Sequence, residues 1–110
     1  MKRGDVVVVV AAQGDMGKPR PAVIVQADEL GDLTTSVLVC PMSSDLSGFH
    51  HLRPIVPPTA TNGLRLPSQI MTDKLNSLRR DRVRRVLGSL DQSAIETLNS
   101  ALLIVLGLAR

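Results

Sequence analysis

Short apolar runs separated by turn residues make up most of the first two thirds of the chain. The run at residues 6–10 consists of valines, and β-branched side chains in an unbroken run favour a strand covered on both faces. Further strands are predicted at residues 21–26, 36–40, 51–56 and 66–71, with Pro41 ending the third of the five strands. Five short strands with turn signals between them predict a small, strongly bent sheet or a partly open barrel.

The last part of the chain has a helical pattern. Residues 82–87 fit either a strand or a short helical turn, and the local pattern does not decide between them. After this segment Asp91 is an N-cap candidate, and apolar residues recur at spacings of three and four: Ile95, Leu98, Leu102, Val105 and Leu106. The sequence therefore predicts an α+β fold, mainly β with a C-terminal helix, in a single domain over residues 1–110. The helix is apolar on nearly all sides, so we expect the sheet, a second chain or both to cover it.

Composition narrows the possible functions. The formal net charge is +3 and the pI is about 9.8, which fits either an anionic partner or a merely soluble basic domain. Phe49 is the only aromatic residue, which argues against a surface that stacks bases on Trp or Tyr. Cys40 is the only cysteine, so an intramolecular disulfide is impossible and a thiolate metal cluster lacks ligands.

Two apolar segments, at residues 6–12 and 101–109, raise the question of a membrane. Both fall far short of the roughly 20 residues needed to span a bilayer. Asp5 interrupts the charged stretch before the first segment, and Gln13-Gly14-Asp15 is more typical of a turn than of a cleavage site. We therefore expect a cytoplasmic protein with no membrane attachment.

Few side chains are suited to catalysis, since the chain has no Gly-x-Ser-x-Gly elbow, no Gly-Lys-Ser loop and no His-Glu-x-x-His. His50 and His51 would point to opposite faces of a strand and could not readily share a metal, so we expect no metal and no cofactor. Arg20 stands between two prolines where a loop enters a strand, and its guanidinium suits a phosphate. Ser43 and Ser44 follow a buried strand. If these residues have no catalytic role, Arg20 is a solvated surface group and the two serines form a turn or a cap.

Several segments, in order, resemble toxins of the MazF/PemK family. Arg3-Gly4-Asp5-Val6-Val7 and Arg20-Pro21-Ala22-Val23 resemble the openings of the family's first two strands. Val39-Cys40-Pro41-Met42-Ser43-Ser44 is similar to its third strand, and Pro67-Ser68-Gln69-Ile70-Met71-Thr72-Asp73-Lys74 to a later strand with an acidic residue. The similarity extends over nearly the whole chain, to the Leu106-Gly107-Leu108 ending.

The resemblance implies an SH3-like, partly open barrel of the plasmid-maintenance toxin type, which forms a homodimer and is neutralised by a cognate antitoxin. It also implies a sequence-selective endoribonuclease that cuts single-stranded RNA without a metal and leaves a 2′,3′-cyclic phosphate. Arg20 matches the family's arginine and Ser43 its hydroxyl residue. Either Asp73 or Asp15 would accept the proton of the 2′-OH, and the sequence leaves that choice open.

The predicted RNA-contacting residues are Lys18, Ser44, His50, His51 and Arg82. The arginines at 79–85 equally fit a solvated face. The sequence departs from the family at Met71, where one branch has an arginine paired with its acid, and in a shorter loop before Arg20. Two other functions remain open: a non-catalytic binder of the gyrase-poison type on the same fold, and an inactive RNA-binding relative.

Overall fold

The computed structural model describes residues 1–10 and 18–109. Its strands are β1 (Asp5–Val10), β2 (Pro19–Ile24), β3 (Ser36–Ser43), β4 (Ile55–Val56), β5 (Ser68–Ile70), β6 (Asn76–Arg79) and β7 (Val83–Ser89), and helix α1 (Gln92–Val105) follows them. Three short 3₁₀ turns lie at Asp28–Leu30, Thr72–Lys74 and Arg80–Arg82. The prediction of a mainly β chain with a C-terminal helix is confirmed.

The strands form one antiparallel sheet in the order β4-β5-β3-β2-β1-β7, and β6 pairs with the first half of β3. β3 is long enough to serve two partners on the same edge, with Leu38 opposite Ser77 and Met42 opposite Ile70. The register between β1 and β7 shifts twice, and such bulges increase the local twist. The shared strand and the bulges together bend the sheet into a half-barrel.

The side chains of the central strands alternate between two apolar layers. Val6 and Val23 face one layer, where Leu98 of α1 packs, whereas Val7 and Ala22 face the other. All four strand residues are fully buried, so the valine run is covered on both faces as predicted. Cys40 belongs to the first layer, where burial raises the pKa of its thiol to about 12 and keeps it protonated.

Helix α1 covers the sheet with only part of its surface. It begins after Asp91, whose side chain accepts a hydrogen bond from the Ala94 N–H at 2.8 Å, as an N-cap does. Leu98, Ala101 and Leu102 are buried against the sheet, whereas the large apolar side chains Leu103, Ile104, Leu106 and Leu108 are exposed. Within the described part of the chain, no helix is long and apolar enough to cross a membrane.

Pro41 does not end the third strand, which corrects the sequence prediction. It lies inside β3, opposite Ala22, and the strand continues to Ser43. A proline lacks only its N–H, and the Pro41 carbonyl still accepts a hydrogen bond from the Met71 N–H at 2.8 Å. The second strand also starts earlier than predicted, at Pro19. These changes bring the polar residues Arg20 and Ser43 into the sheet itself.

The predicted strand at residues 51–56 is wrong for most of its length. The Phe49 carbonyl accepts hydrogen bonds from the N–H groups of Leu52 and Arg53, which makes a turn, and only Ile55–Val56 pair as a strand. The predicted strand at 66–71 is reduced to Ser68–Ile70. β6 was not predicted because its residues, Asn-Ser-Leu-Arg, show little apolar alternation. In the ambiguous segment at 82–87, Arg82 ends a 3₁₀ turn and the residues from Val83 onward belong to β7.

Candidate active site

Arg20 and Ser43 lie at the same end of neighbouring strands. β2 and β3 pair with Ala22 opposite Pro41, and continuing this antiparallel register by two residues places Arg20 opposite Ser43. Side chains of directly opposite residues share one face of the sheet, with Cβ atoms about 5 Å apart. The fold therefore brings together the guanidinium and the hydroxyl that the sequence singled out 23 positions apart.

Two open grooves meet at this pair, and both Arg20 and Ser43 line each of them. The first groove has a volume of about 490 Å³ and the second about 340 Å³. Arg65 and Arg85 also line the first groove, so three guanidinium groups border it, and no carboxylate does among the residues the structure describes. The second groove is mixed in charge, with Asp45, Arg53, Gln69 and Lys74 on its walls. A polyanion fits the first groove better than the second on charge.

The wall of the first groove is a loop held tightly against β7. A Cβ on Gly88 would lie 2.1 Å from the Thr61 carbonyl oxygen, and one on Gly63 would lie 2.4 Å from the Leu87 carbonyl oxygen. Gly63 also has a φ of +71°, which fits the predicted Asn-Gly turn. Asn62 is buried at the centre of this loop, where its amide donates to the Pro57 carbonyl at 2.9 Å. Backbone contact therefore fixes the segment that leads into Leu64 and Arg65.

The Ser43 hydroxyl is oriented by its own chain. Its Oγ accepts a hydrogen bond from the Asp45 N–H at 3.1 Å, which leaves the O–H proton to donate elsewhere. Asp45 in turn accepts from the Ser47 N–H at 3.1 Å, and this backbone hydrogen bond lowers the pKa of the Asp45 carboxyl. Asp45 is therefore an ionised carboxylate on the wall of the second groove. Asp45 was not predicted from the sequence, although it follows directly after the Ser43-Ser44 pair.

Asp73 is held by Arg53, a residue that was not predicted from the sequence. Arg53 donates from Nε and Nη2 to the two Asp73 carboxylate oxygens, both at 2.8 Å. This hydrogen bond lowers the pKa of Asp73, and a lower pKa makes a carboxylate a weaker base. Arg53 lines the second groove, whereas Asp73 is not among the described residues that line either groove. Asp15, the other predicted base, lies outside the described residues.

The remaining predicted contacts divide into two groups. Ser44 lines the first groove, and Lys18 is exposed immediately before β2, two residues before Arg20. His50, His51 and Arg82 do not line either groove in the described part of the chain. Arg82 instead ends the 3₁₀ turn before β7.

The two histidines lie in the turn region before β4 and not on a strand, contrary to the prediction for residues 51–56. His50 Nε2 lies 2.7 Å from the Leu46 carbonyl oxygen, and the His51 ring packs edge-on against Phe49 with centroids 6.1 Å apart. Both rings are exposed. Within residues 1–10 and 18–109, no three His, Cys, Asp or Glu side chains lie close enough together to hold a metal ion.

Residues 2–106 match the family model described as PemK-like, MazF-like toxin of type II toxin-antitoxin system. A protein of Mycolicibacterium smegmatis named probable endoribonuclease MazF is 35% identical over 109 residues, with 99% of each chain covered. Among solved structures, the Mycobacterium tuberculosis toxin MazF-mt6 superposes with a TM-score of 0.81 at 23% identity, covering 96% of this chain and 99% of that one. An endoribonuclease from a mycobacterial species, in complex with its cognate antitoxin, gives 0.83 at 20% identity and covers 100% and 98%. The chain therefore belongs to the PemK/MazF family of type II toxins.

Proposed function

We propose that this chain is a toxin endoribonuclease that cuts single-stranded RNA at selected sequences without a metal. The observation that carries the proposal is the placement of Arg20 and Ser43 on one face of the sheet, where both line two grooves. Membership of the PemK/MazF family supports the activity, as does the full-length relative named an endoribonuclease.

The chemistry is an internal transfer at one phosphate. The ribose 2′-OH loses its proton and the 2′-O attacks the adjacent phosphorus. The bond from phosphorus to the 5′-O breaks and the departing 5′-O takes up a proton from water, which leaves a 2′,3′-cyclic phosphate and a 5′-OH. The guanidinium of Arg20 would donate to the non-bridging oxygens, where negative charge builds up in the transition state. Ser43, whose O–H is available to donate, would hold one of those oxygens in place.

A carboxylate is needed to accept the 2′-OH proton, and three candidates stand. Asp73 and Asp15 are the two that the sequence proposed. Asp73 would have to leave its ion pair with Arg53 before it could turn toward the RNA. Asp45 joins them because it is ionised and lines the second groove with Arg20 and Ser43. Replacing each by asparagine in turn should slow cleavage most at the true base, and only there remove the fall in rate at acidic pH.

The partners follow from the surfaces around the site. RNA would enter through the first groove, with its phosphates near Arg65 and Arg85, and Lys18 and Ser44 at its border. An antitoxin segment of acidic or apolar character would compete with RNA for the first groove, because an arginine-lined surface attracts acidic groups. A structural neighbour was solved with its cognate antitoxin, which supports a partner of this kind.

Association and location complete the proposal. The exposed apolar side chains near the end of α1 would be covered in a homodimer. Light scattering that shows only monomer at micromolar concentration would exclude that dimer. We also propose that the toxin forms one domain and acts in the cytoplasm, where its RNA substrate is found.

The decisive experiment is cleavage of a long single-stranded RNA in EDTA by the wild type, Arg20→Ala and Arg84→Ala. Arg84 is an exposed β7 arginine that lines neither groove, so it controls for loss of charge alone. The wild type and Arg84→Ala should give the same discrete fragments, and Arg20→Ala should be slower by about 10²–10³. Intact RNA with the wild type, or cleavage that EDTA abolishes, would contradict the proposal. Intact RNA would instead favour a non-catalytic binder of the gyrase-poison type or an inactive RNA-binding relative.

A further inference from the structure

The side-chain oxygen of Gln69 is buried and has no hydrogen-bond partner within the described part of the chain. The residue as a whole is 1% exposed. Buried polar atoms are nearly always paired, and an unpaired acceptor lowers the stability of the folded state. A side chain kept at a cost to stability calls for a reason outside folding.

A second buried glutamine shows what a structural amide looks like in this protein. Gln26 is 8% exposed, and both ends of its amide are bonded. Its Nε2 donates to Thr34 Oγ1 at 3.1 Å, and its Oε1 accepts from the Leu38 N–H at 3.3 Å. Gln26 therefore ties two segments together, which Gln69 Oε1 does not do.

The position of Gln69 in the sheet connects it to the candidate active site. It lies in the middle of β5, directly opposite Ser43 on β3, and continuing the register of β2 against β3 places Ser43 opposite Arg20. The three side chains thus form a row across one face of the sheet. Gln69 also lines the second groove together with Arg20 and Ser43. Gln69, with its unpaired Oε1, therefore lies beside Ser43 and Arg20, the two residues that would hold the cleaved phosphate.

We propose that Gln69 determines sequence specificity: its amide hydrogen-bonds the base edge of a nucleotide beside the cleaved phosphate, with Oε1 accepting a base N–H. This inference rests on the proposed endoribonuclease function. A side-chain amide carries an acceptor and a donor side by side, the arrangement that pairs with a base edge. Its terminal torsion is soft, so Oε1 can rotate toward a base in the groove.

The unpaired Oε1 also explains how Gln69 would discriminate between bases. A site built to hydrogen-bond a substrate group rejects an analogue that lacks this group, because the site's own polar atom then stays unpaired. A base whose N–H points at Oε1 supplies the missing hydrogen bond, whereas a base without such an N–H leaves the acceptor buried and unpaired. Selection at one nucleotide position follows from this difference.

The test compares wild type, Gln69→Met and the matched control Gln26→Met on an RNA pool with a randomised centre, sequencing the cleaved ends. In Gln69→Met, preference at one nucleotide position should fall roughly tenfold or more, with the other positions unchanged. Its Tm should stay the same or rise, because the unpaired acceptor is gone. Gln26→Met should keep the cleavage pattern and lower the Tm. An unchanged pattern in Gln69→Met, or a uniform loss of rate at every site, would overturn the inference.

A binding measurement separates this inference from the proposed function. The same pool is bound by Arg20→Ala, with and without Gln69→Met, and the retained RNA is sequenced. A base preference at one position that disappears with Gln69→Met supports the role of Gln69. This holds even if the wild type cuts no RNA, because a lack of cleavage would refute only the proposed nuclease activity. Retained RNA with the same preferences in both proteins would refute the role of Gln69.

Discussion

Replacing Gly88 by alanine tests the contact that fixes the wall of the first groove. The new Cβ would lie 2.1 Å from the Thr61 carbonyl oxygen and 2.7 Å from the Asn62 carbonyl carbon. Both are backbone atoms, so no flexible side chain can move aside, and the loop must separate from β7. The hydrogen bond from the Ser89 N–H to the Thr61 carbonyl, 2.9 Å in length, would be lost with it.

The magnitude follows from two contributions. Forced overpacking costs about 1–3 kcal/mol, and the lost hydrogen bond adds about 1 kcal/mol. The free energy of unfolding should therefore fall by about 2–4 kcal/mol, which lowers the Tm of a domain of this size by about 8–16 °C. RNA affinity should fall as well, because Arg65 follows directly on the displaced loop.

Thermal and urea unfolding followed by circular dichroism would measure the change, and Gly31→Ala is the control. Gly31 has φ +47° and ψ −125°, a conformation that favours glycine, and no atom lies within 4 Å of a built Cβ, so its substitution adds backbone strain of about 1–3 kcal/mol without a clash. A Gly88→Ala protein as stable as the wild type would show that the loop does not pack on β7 as described.

Three further predictions concern the cap, the first groove and the ion pair. Asp91→Ala should lower the free energy of unfolding by about 1 kcal/mol in urea titrations, with Asp32→Ala unchanged as control. Arg65→Gln and Arg85→Gln should each reduce the salt dependence of single-stranded RNA binding by about 0.7 in log–log slope, and an unchanged slope would remove that arginine from the interface. Arg53 lowers the pKa of Asp73 in the folded protein, so the pair stabilises the fold fully above the unfolded pKa of about 4 and loses this effect as the pH falls below it. Arg53→Met should therefore flatten the loss of stability below about pH 4, and an unchanged pH profile would contradict this.

The elements that the sequence predicted are those with a local physical cause. The valines of β1 are typical of a strand that is buried on both faces, and Asp91 followed by apolar residues at helical spacing is typical of a helix start. Arg20 and Ser43 were found because each stands where a strand meets a loop. Their proximity, however, depends on the register of β2 against β3, and Pro41 had suggested that β3 ends before it reaches Ser43.

The residues that the sequence missed act through contacts between distant segments. Arg53 and Asp73 are 20 positions apart, on either side of β4 and β5, and no periodicity relates them. Gln69 appeared in the sequence only as part of a family-like stretch. The role proposed for it depends on an Oε1 that has no partner among residues 1–10 and 18–109 and on Ser43 opposite it, and neither can be read from neighbouring residues.

The strand order of the sheet has a consequence for the timing of synthesis. β1 pairs with β7, so Asp5, near the start of the chain, lies opposite Ser89, and the edge of β1 stays unpaired until β7 leaves the ribosome. The loop before Arg65 rests on Gly88 of that same late strand. Arg85, which lines the first groove, lies on β7 itself. For an endoribonuclease, this order of assembly means that the arginine-lined surface cannot be complete before β7 has joined β1.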